Sequence, residues 1–141
     1  MRVKLVTGDL KYLPEYQSVG AAGADLKARG NWRIEPGEVV KVPLGICLEI
    51  PVGFEVQIRP RSGLSVKYGV TLLNTPATID SDYRGEINAV VYNAGKSAFI
   101  VHDGERIAQM VYASVLRAKF KIADSLSETE RGDKGFGSTG K

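Results

Sequence analysis

A dense run of polar residues at positions 74–86 contains the side chains best suited to chemistry. Tyr83 follows Asp80 by three residues within this run. A carboxylate can orient a water molecule and accept its proton, and an aromatic ring can pack on a sugar. The same composition is typical of a solvated turn, because Asp, Ser and Gly favour turn conformations. The run alone leaves both interpretations open.

A glycine-rich segment at positions 135–140 could approach phosphate groups. It matches the pattern G-x-G-x-x-G, but a dinucleotide-binding fold needs a strand before the pattern and a helix after it, and a single residue follows. General phosphate chemistry is the better interpretation, because glycines let backbone N–H groups approach oxyanions. Arg131, Ser138 and Thr139 can donate hydrogen bonds to phosphate, and Phe136 offers a flat face for a base.

The eighteen residues 124–141 differ in composition from the rest of the chain. Their large apolar side chains are Leu126 and Phe136, so the segment cannot bury enough surface to order itself. It is either a frayed terminus or an arm that orders over a ligand or a neighbouring subunit. We predict a folded domain over residues 1–123, and the composition of residues 124–141 leaves both interpretations of this segment open.

The composition excludes several classes of protein. A chain of 141 residues with 43% hydrophobic and 25% charged residues is typical of one soluble globular domain. Its single cysteine, Cys47, and single histidine, His102, can form neither an internal disulfide nor a zinc site, and the lone cysteine fits a reducing compartment. His102 lies in a turn-like run and is predicted to be a surface loop histidine. No stretch approaches the roughly 18 apolar residues of a membrane helix, and a net charge of +3 is only a weak sign of an anionic partner.

The elements that must position these residues are predicted to be short strands. Phe54, Val56 and Ile58 alternate with polar residues, which predicts a half-buried strand. We expect it to form a hairpin with residues 45–50 through the turn at 51–53. Frequent Gly and Pro turns between short strands favour a sandwich, a jelly roll or a barrel. Further strands are predicted at residues 39–42, 87–92, 98–101 and 107–115.

One short helix is predicted at residues 62–68. Ser62 is a suitable N-cap residue, and Gly69 is a suitable C-terminal residue. The segment is shorter than two and a half turns, so its stability depends on packing.

Five segments resemble, in order, the five motifs of the trimeric dUTP pyrophosphatases (dUTPases). They are residues 21–26, 60–65, 69–87, 104–110 and 131–140. The resemblance covers nearly the whole chain and implies an all-β, jelly-roll-like β-barrel with one short helix and a flexible C-terminal arm. It implies a cytoplasmic, Mg²⁺-dependent hydrolase that converts dUTP to dUMP and pyrophosphate, which lowers dUTP and supplies dUMP for thymidylate synthesis. It also implies a homotrimer with shared active sites and no nucleic-acid or membrane partner.

The resemblance assigns the chemical step to Asp80, which would activate the water that attacks the α-phosphate. An aspartate with an ordinary pKa of about 4 is a weak base, so positioning and charge neutralisation must supply most of the acceleration. Asp25 would lie near the metal and contact it through water, because Mg²⁺ keeps much of its hydration shell. A structural ion pair between Asp25 and an arginine is the alternative.

The resemblance also assigns substrate contacts. Tyr83 would stack on the deoxyribose and leave no room for a 2′-hydroxyl, while Asn74 and the backbone around Thr78 and Ile79 would read the uracil edge. The remaining residues would hold the triphosphate or close over the bound nucleotide. These are Arg61, Ser62, Gly63, Gln109, Arg131, Phe136, Gly137, Ser138 and Thr139.

Two positions bear on rival interpretations. Ala77 stands where many dUTPases have glycine, and a positive φ there would cost about 1 kcal/mol and alter the uracil hairpin. Val90 occupies the place of the catalytic glutamate of the related dCTP deaminases, which argues against that activity. A catalytically silent nucleotide-binding regulatory protein of the same fold is the other alternative. The apolar runs at residues 70–73 and 87–91 could form the threefold contact or the ordinary core.

Overall fold

The computed structural model describes residues 3–135 of the chain. Within this range the protein is built from eleven short strands, one 3-10 turn (Leu10–Tyr12) and one α-helix, α1 (Ser62–Tyr68). The prediction of a mainly β protein with one short helix is confirmed. The strands are β1 (Lys4–Thr7), β2 (Ala24–Lys27), β3 (Trp32–Ile34), β4 (Val39–Pro43), β5 (Ile46–Glu49), β6 (Phe54–Pro60), β7 (Val70–Leu72), β8 (Ala77–Ile79), β9 (Asn88–Asn93), β10 (Phe99–Val101) and β11 (Arg106–Ser114).

The described strands form four antiparallel sheets. The largest has the order β2-β11-β6-β8, and a second has the order β4-β9-β7. Strands β1 and β5 form one two-stranded sheet, and β3 and β10 form another. Each sheet ends in open edges, so between residues 3 and 135 the strands do not close into the predicted barrel.

Alternating burial along β6 shows how the sequence pattern directs the sheet toward the core. Val56 and Ile58 are fully buried, whereas Arg59 is exposed and Phe54 is 37% exposed. Inward-facing side chains of the four sheets meet in one apolar cluster. Alternate residues of the two apolar runs belong to this cluster, so the core interpretation holds for them. They are Val70, Leu72, Ile87, Ala89 and Val91.

The predicted hairpin between β5 and β6 is wrong. A tight turn does form, since the Phe54 N–H donates to the Pro51 carbonyl over 3.2 Å. However, β5 pairs with β1, whereas β6 pairs with β11 and β8. The turn therefore passes the chain from one sheet to another, and turn residues alone do not specify whether the flanking strands pair.

Helix α1 has the predicted bounds but not the predicted N-cap. Arg61 is the extended N-cap residue, with no side-chain cap bond, and Ser62 is the first helical residue. Because β6 ends at Pro60, Arg61 is the residue that turns the chain into the helix. Gly69 ends it in a left-handed conformation (φ 71°), where an added Cβ would lie 2.9 Å from the Gly95 backbone.

Up to residue 135, the last regular element ends at Ser114, and the residues from 116 to 135 are exposed. The apolar side chains Leu116, Phe120, Ile122 and Leu126 are each more than 90% exposed. The predicted boundary at residues 123 and 124 stays a prediction. Nowhere from residue 3 to residue 135 is there a helix long and apolar enough to cross a membrane.

Candidate active site

Strand β8 and the loop after it hold the predicted base-recognition residues together. Thr78 and Ile79 lie on β8, which pairs with β6, and Asp80 follows directly. A turn bond from the Tyr83 N–H to the Asp80 carbonyl (3.2 Å) brings the ring back toward the carboxylate. These residues and Asn74 line one cavity of about 240 Å³, called the β8 cavity. That volume is below the range of whole-ligand pockets and fits one ring system of a larger ligand.

Tyr83 is held across its own loop. Its hydroxyl donates to the Glu86 carbonyl over 3.0 Å. A Cβ on Gly85 would lie 2.6 Å from Cζ of Tyr83, so the ring can occupy this place only beside a glycine. Sequence reasoning did not assign Gly85 or Glu86 to the site, although both lie in the third motif segment.

A second group of side chains surrounds Asp25 on β2. It contains Asp25, Arg61, Arg106 and Gln109 and is called the Arg61 group. This side chain is almost fully buried (8% exposed) and accepts hydrogen bonds from Arg61 Nε (3.2 Å) and Arg106 Nη1 (3.0 Å). Two arginines compensate the charge, as burial of a carboxylate requires. The ion-pair alternative for Asp25 is thus the arrangement present in the structure. Arg106 was not singled out from the sequence.

Gln109 on β11 belongs to the same group. It lies opposite Asp25 in the register of β11 with β2, and its Nε2 donates to the Pro60 carbonyl over 2.9 Å. An added Cβ on Gly23 would collide with the Gln109 amide, so Gly23 permits its position. Arg61 also donates from Nη1 to the Arg106 carbonyl (3.0 Å), which orients the guanidinium at the edge of a cavity of about 740 Å³.

The two groups lie off opposite ends of β6. Ile79 on β8 is the register partner of Val56, and Pro60 lies four residues further along β6. At about 3.3 Å per residue that separation is about 13 Å. Asp80 lies beyond the Val56 end, whereas Arg61 directly follows Pro60 at the other end. One chain therefore does not bring Asp80 to the Arg61 group.

The loop that leads into β11 is fixed by Asp103. Its carboxylate accepts hydrogen bonds from Lys11 Nζ, from the Tyr12 hydroxyl (2.6 Å) and from the Gly30 N–H (2.7 Å). The Lys11 hydrogen bond is the largest cause that holds the pKa of Asp103 well below its usual range. His102 in this loop is exposed, as predicted.

Arg131, the predicted arm residue in the described range, makes no hydrogen bond to either group. Arg131 is exposed and donates from Nε to the Lys134 carbonyl over 3.0 Å. Between residues 3 and 135, no hydrogen bond joins segment 124–135 to the rest of the chain. The other predicted arm residues lie outside the described residues. They are Phe136, Gly137, Ser138 and Thr139.

No group of three or more His, Cys, Asp or Glu side chains is arranged to hold a metal ion in the described part of the chain. The acidic side chain of the Arg61 group, Asp25, already accepts from two arginines. The donor set does not form a protein cage for a cation. It is compatible with a cation that arrives on a phosphate ligand and keeps most of its water.

The chain is similar to proteins of known activity over almost its full length. The dUTPase family profile matches residues 10–140. The deoxyuridine 5′-triphosphate nucleotidohydrolase of Treponema pallidum is 52% identical over 143 residues, which cover 99% of this chain and 98% of the relative. That of Caldanaerobacter subterraneus is 57% identical over 130 residues, or 91% of this chain and 88% of the relative.

Solved structures share the fold. A dUTPase from Streptococcus mutans has a TM-score of 0.77 at 30% identity and covers 84% of this chain and 98% of its own. The Staphylococcus bacteriophage 80alpha dUTPase with dUPNHPP has a TM-score of 0.91 at 24% identity and covers 99% and 98%. The jelly-roll prediction is confirmed as the dUTPase type of fold. Because the family profile spans nearly the whole sequence and relatives share more than half of its residues, the chain belongs to the dUTPase family.

Proposed function

We propose that this protein hydrolyses dUTP to dUMP and pyrophosphate, which lowers dUTP and supplies dUMP for thymidylate synthesis. The family membership and the intact loop from Asp80 to Tyr83 carry this conclusion. The relatives named above are deoxyuridine 5′-triphosphate nucleotidohydrolases, and the phage enzyme was solved with the nucleotide analogue dUPNHPP.

In the proposed reaction Asp80 accepts a proton from water. The water oxygen attacks the α-phosphorus, the bond to the α–β bridging oxygen breaks, and pyrophosphate leaves with the bond electrons. Asp80 is exposed at the rim of the cavity it shares with Thr78 and Tyr83, so water can reach its carboxylate. Because a carboxylate is a weak base, the rate depends on how well this loop orients the water.

The β8 cavity suits recognition of uracil and deoxyribose. Asn74 and the backbone at Thr78 and Ile79 read the base, and Tyr83 covers the sugar and excludes a 2′-hydroxyl. Cytosine is rejected because it would leave buried polar groups unpaired. Ala77 raises no objection, since no non-glycine residue from 3 to 135 has a positive φ.

The Arg61 group suits the triphosphate. Asp25 and the Arg106 carbonyl orient the Arg61 guanidinium, and Gln109 lies beside it. Ser62 and Gly63 add donors at the start of α1. From the arm, Arg131, Ser138 and Thr139 close on the γ-phosphate and Phe136 covers the base. Gly137 belongs to the same substrate-binding segment. Closure expels water and strengthens these charged contacts.

Mg²⁺ is part of the proposal as a substrate-borne ion. When bound to the triphosphate it neutralises phosphate charge. Asp25 is the acidic side chain that contacts Arg61, and it would reach such an ion through water. The two arginines on Asp25 limit it to that indirect contact.

The separation of the two groups supports the proposal of a homotrimer with shared sites. Asp80 and Arg61 lie off opposite ends of β6, so a complete site needs Asp80 from one subunit and Arg61 from another. The exposed apolar side chains between residues 116 and 126 offer surface for such contacts. A cytoplasmic location is also proposed, supported by the single cysteine.

A pyrophosphate-release assay with dUTP, dCTP, dTTP and UTP tests the activity. We expect release from dUTP far above the other three, and Asp80→Asn should lose at least about a hundredfold in kcat while it still binds a nonhydrolysable analogue. Release of ammonia from dCTP would favour the deaminase alternative, against which Val90 argues. No release from any nucleotide would leave the silent binding protein, and an unchanged rate in Asp80→Asn would remove Asp80 from the mechanism.

A further inference from the structure

Glu86 ties the end of the Asp80 loop to two other parts of the fold. Its Oε2 accepts from Arg29 Nη2 over 2.7 Å, and its Oε1 accepts from the Gly45 N–H over 3.0 Å. Arg29 is itself fixed, because its backbone N–H donates to the Pro43 carbonyl over 2.8 Å. One carboxylate therefore joins the loop to the β2–β3 and β4–β5 connections.

The backbone of the same residue holds Tyr83. The Glu86 carbonyl accepts from the Tyr83 hydroxyl (3.0 Å) and from Asn88 Nδ2 (2.7 Å). The side chain of Glu86 fixes this residue in space, and its carbonyl transfers that position to the aromatic ring. A movement of residue 86 would therefore move the ring of Tyr83.

The Gly45 end of this connection is rigid. Gly45 has a φ of 70°, and an added Cβ would lie 2.6 Å from Cδ2 of Tyr12, which is buried. Only glycine fits there, so its N–H has a fixed direction toward Glu86. The Arg29 and Glu86 side chains are 51% and 31% exposed, and ion pairs of that exposure add little to global stability. The effect of the pair is local.

We propose that Arg29 and Glu86 are positioning residues that set the selectivity for dUTP over UTP by holding Tyr83 in place. The inference rests on the proposed function, in which the Tyr83 ring excludes the 2′-hydroxyl. When the pair is lost, residue 86 is held by fewer contacts and the ring no longer fills the space beside the sugar. A ribonucleotide then fits where it was excluded, while Asp80 keeps its carboxylate and the Arg61 group is unchanged.

The test is the ratio of kcat/KM for dUTP to kcat/KM for UTP in matched variants. Arg29→Ala and Glu86→Ala should each lower this ratio by about tenfold, the effect of a small misfit in a binding pocket. Arg29→Lys should restore most of it, because a single nitrogen of Arg29 contacts Glu86. The control is Arg33→Ala, which breaks another exposed ion pair (Arg33 to Glu35, 2.6 Å) and should leave the ratio unchanged.

Two further measurements separate failure of this inference from failure of the proposed function. Tyr83→Ala should abolish the selectivity; if it does and Arg29→Ala keeps the wild-type ratio, the inference is wrong and the proposed function stands. If Tyr83→Ala keeps the ratio, both the sugar-excluding role of Tyr83 and the inference fail. Hydrogen exchange over residues 80–88 should be faster in Arg29→Ala than in Arg33→Ala, and equal exchange would overturn the positioning role whatever the kinetics show.

Discussion

Subunit mixing tests whether Asp80 and Arg61 act from different chains. Asp80→Asn and Arg61→Gln should each be nearly inactive alone, since one lacks the proposed base and the other lacks the proposed phosphate-binding charge. Their positions off opposite ends of β6 predict that each site combines one residue from each of two subunits. The defects can therefore be segregated into different sites when the two variants assemble together.

The size of the recovery follows from the geometry. In a random one-to-one mixture, a site receives an intact Asp80 in half of the cases and an intact Arg61 in half, so about one quarter of the sites are complete. We expect about 25% of wild-type activity when the variants are unfolded in urea, mixed and refolded together, measured by pyrophosphate release. If one chain supplied both residues, every site would carry one defect. Activity in the mixture no higher than the mean of the two separately refolded parents would refute the shared site.

Three further predictions concern the arm, a buried amide and the Asp103 network. Deletion of residues 131–141 should cripple hydrolysis and leave Tm nearly unchanged, because no hydrogen bond joins segment 124–135 to the remainder of the described chain; a large fall in Tm would show that the arm belongs to the resting fold. Asn93 is fully buried and joins the Ile34 and Ser97 carbonyls to the Gly95 N–H. Asn93→Ala should lower the unfolding free energy in urea by about 3 kcal/mol, against a small change for the exposed Asn31→Ala, and equal losses would contradict this account. Because Lys11 lowers the pKa of Asp103, that carboxylate stabilises the fold above about pH 4 and loses the effect as pH falls through its folded-state pKa. Asp103→Asn should lower Tm at pH 7 and converge with the wild type in acid; a pH-independent difference would exclude the ionic contribution.

Local pattern was sufficient for much of the fold. The alternation of Val56 and Ile58 with polar neighbours predicted β6, and Gly69 marked the end of α1 because a left-handed residue favours glycine. The residues that line the β8 cavity could also be predicted to lie close together, because they are within ten positions of one another. They are Asn74, Thr78, Asp80 and Tyr83.

Long-range contacts could not be predicted in this way. Arg61 pairs with Asp25 across 36 positions, and Arg29 pairs with Glu86 across 57. The pairing of β5 with β1 instead of β6 likewise depends on which sheet buries which face. The predicted N-cap residue, Ser62, was wrong for a related reason. The start of α1 is set by the end of β6 and not by a hydrogen bond from the Ser62 side chain.

Strand β6 also fixes the distance between the β8 cavity and the Arg61 group of one chain. It is hydrogen-bonded on both sides, by β11 and β8, so its length cannot change without a slip in two ladders at once. A one-residue insertion between Phe54 and Pro60 would turn Val56 or Ile58 outward and would lengthen the separation between the β8 cavity and the Arg61 group of the same chain by about 3.3 Å. The separation of these two groups along one chain is therefore encoded in seven consecutive residues.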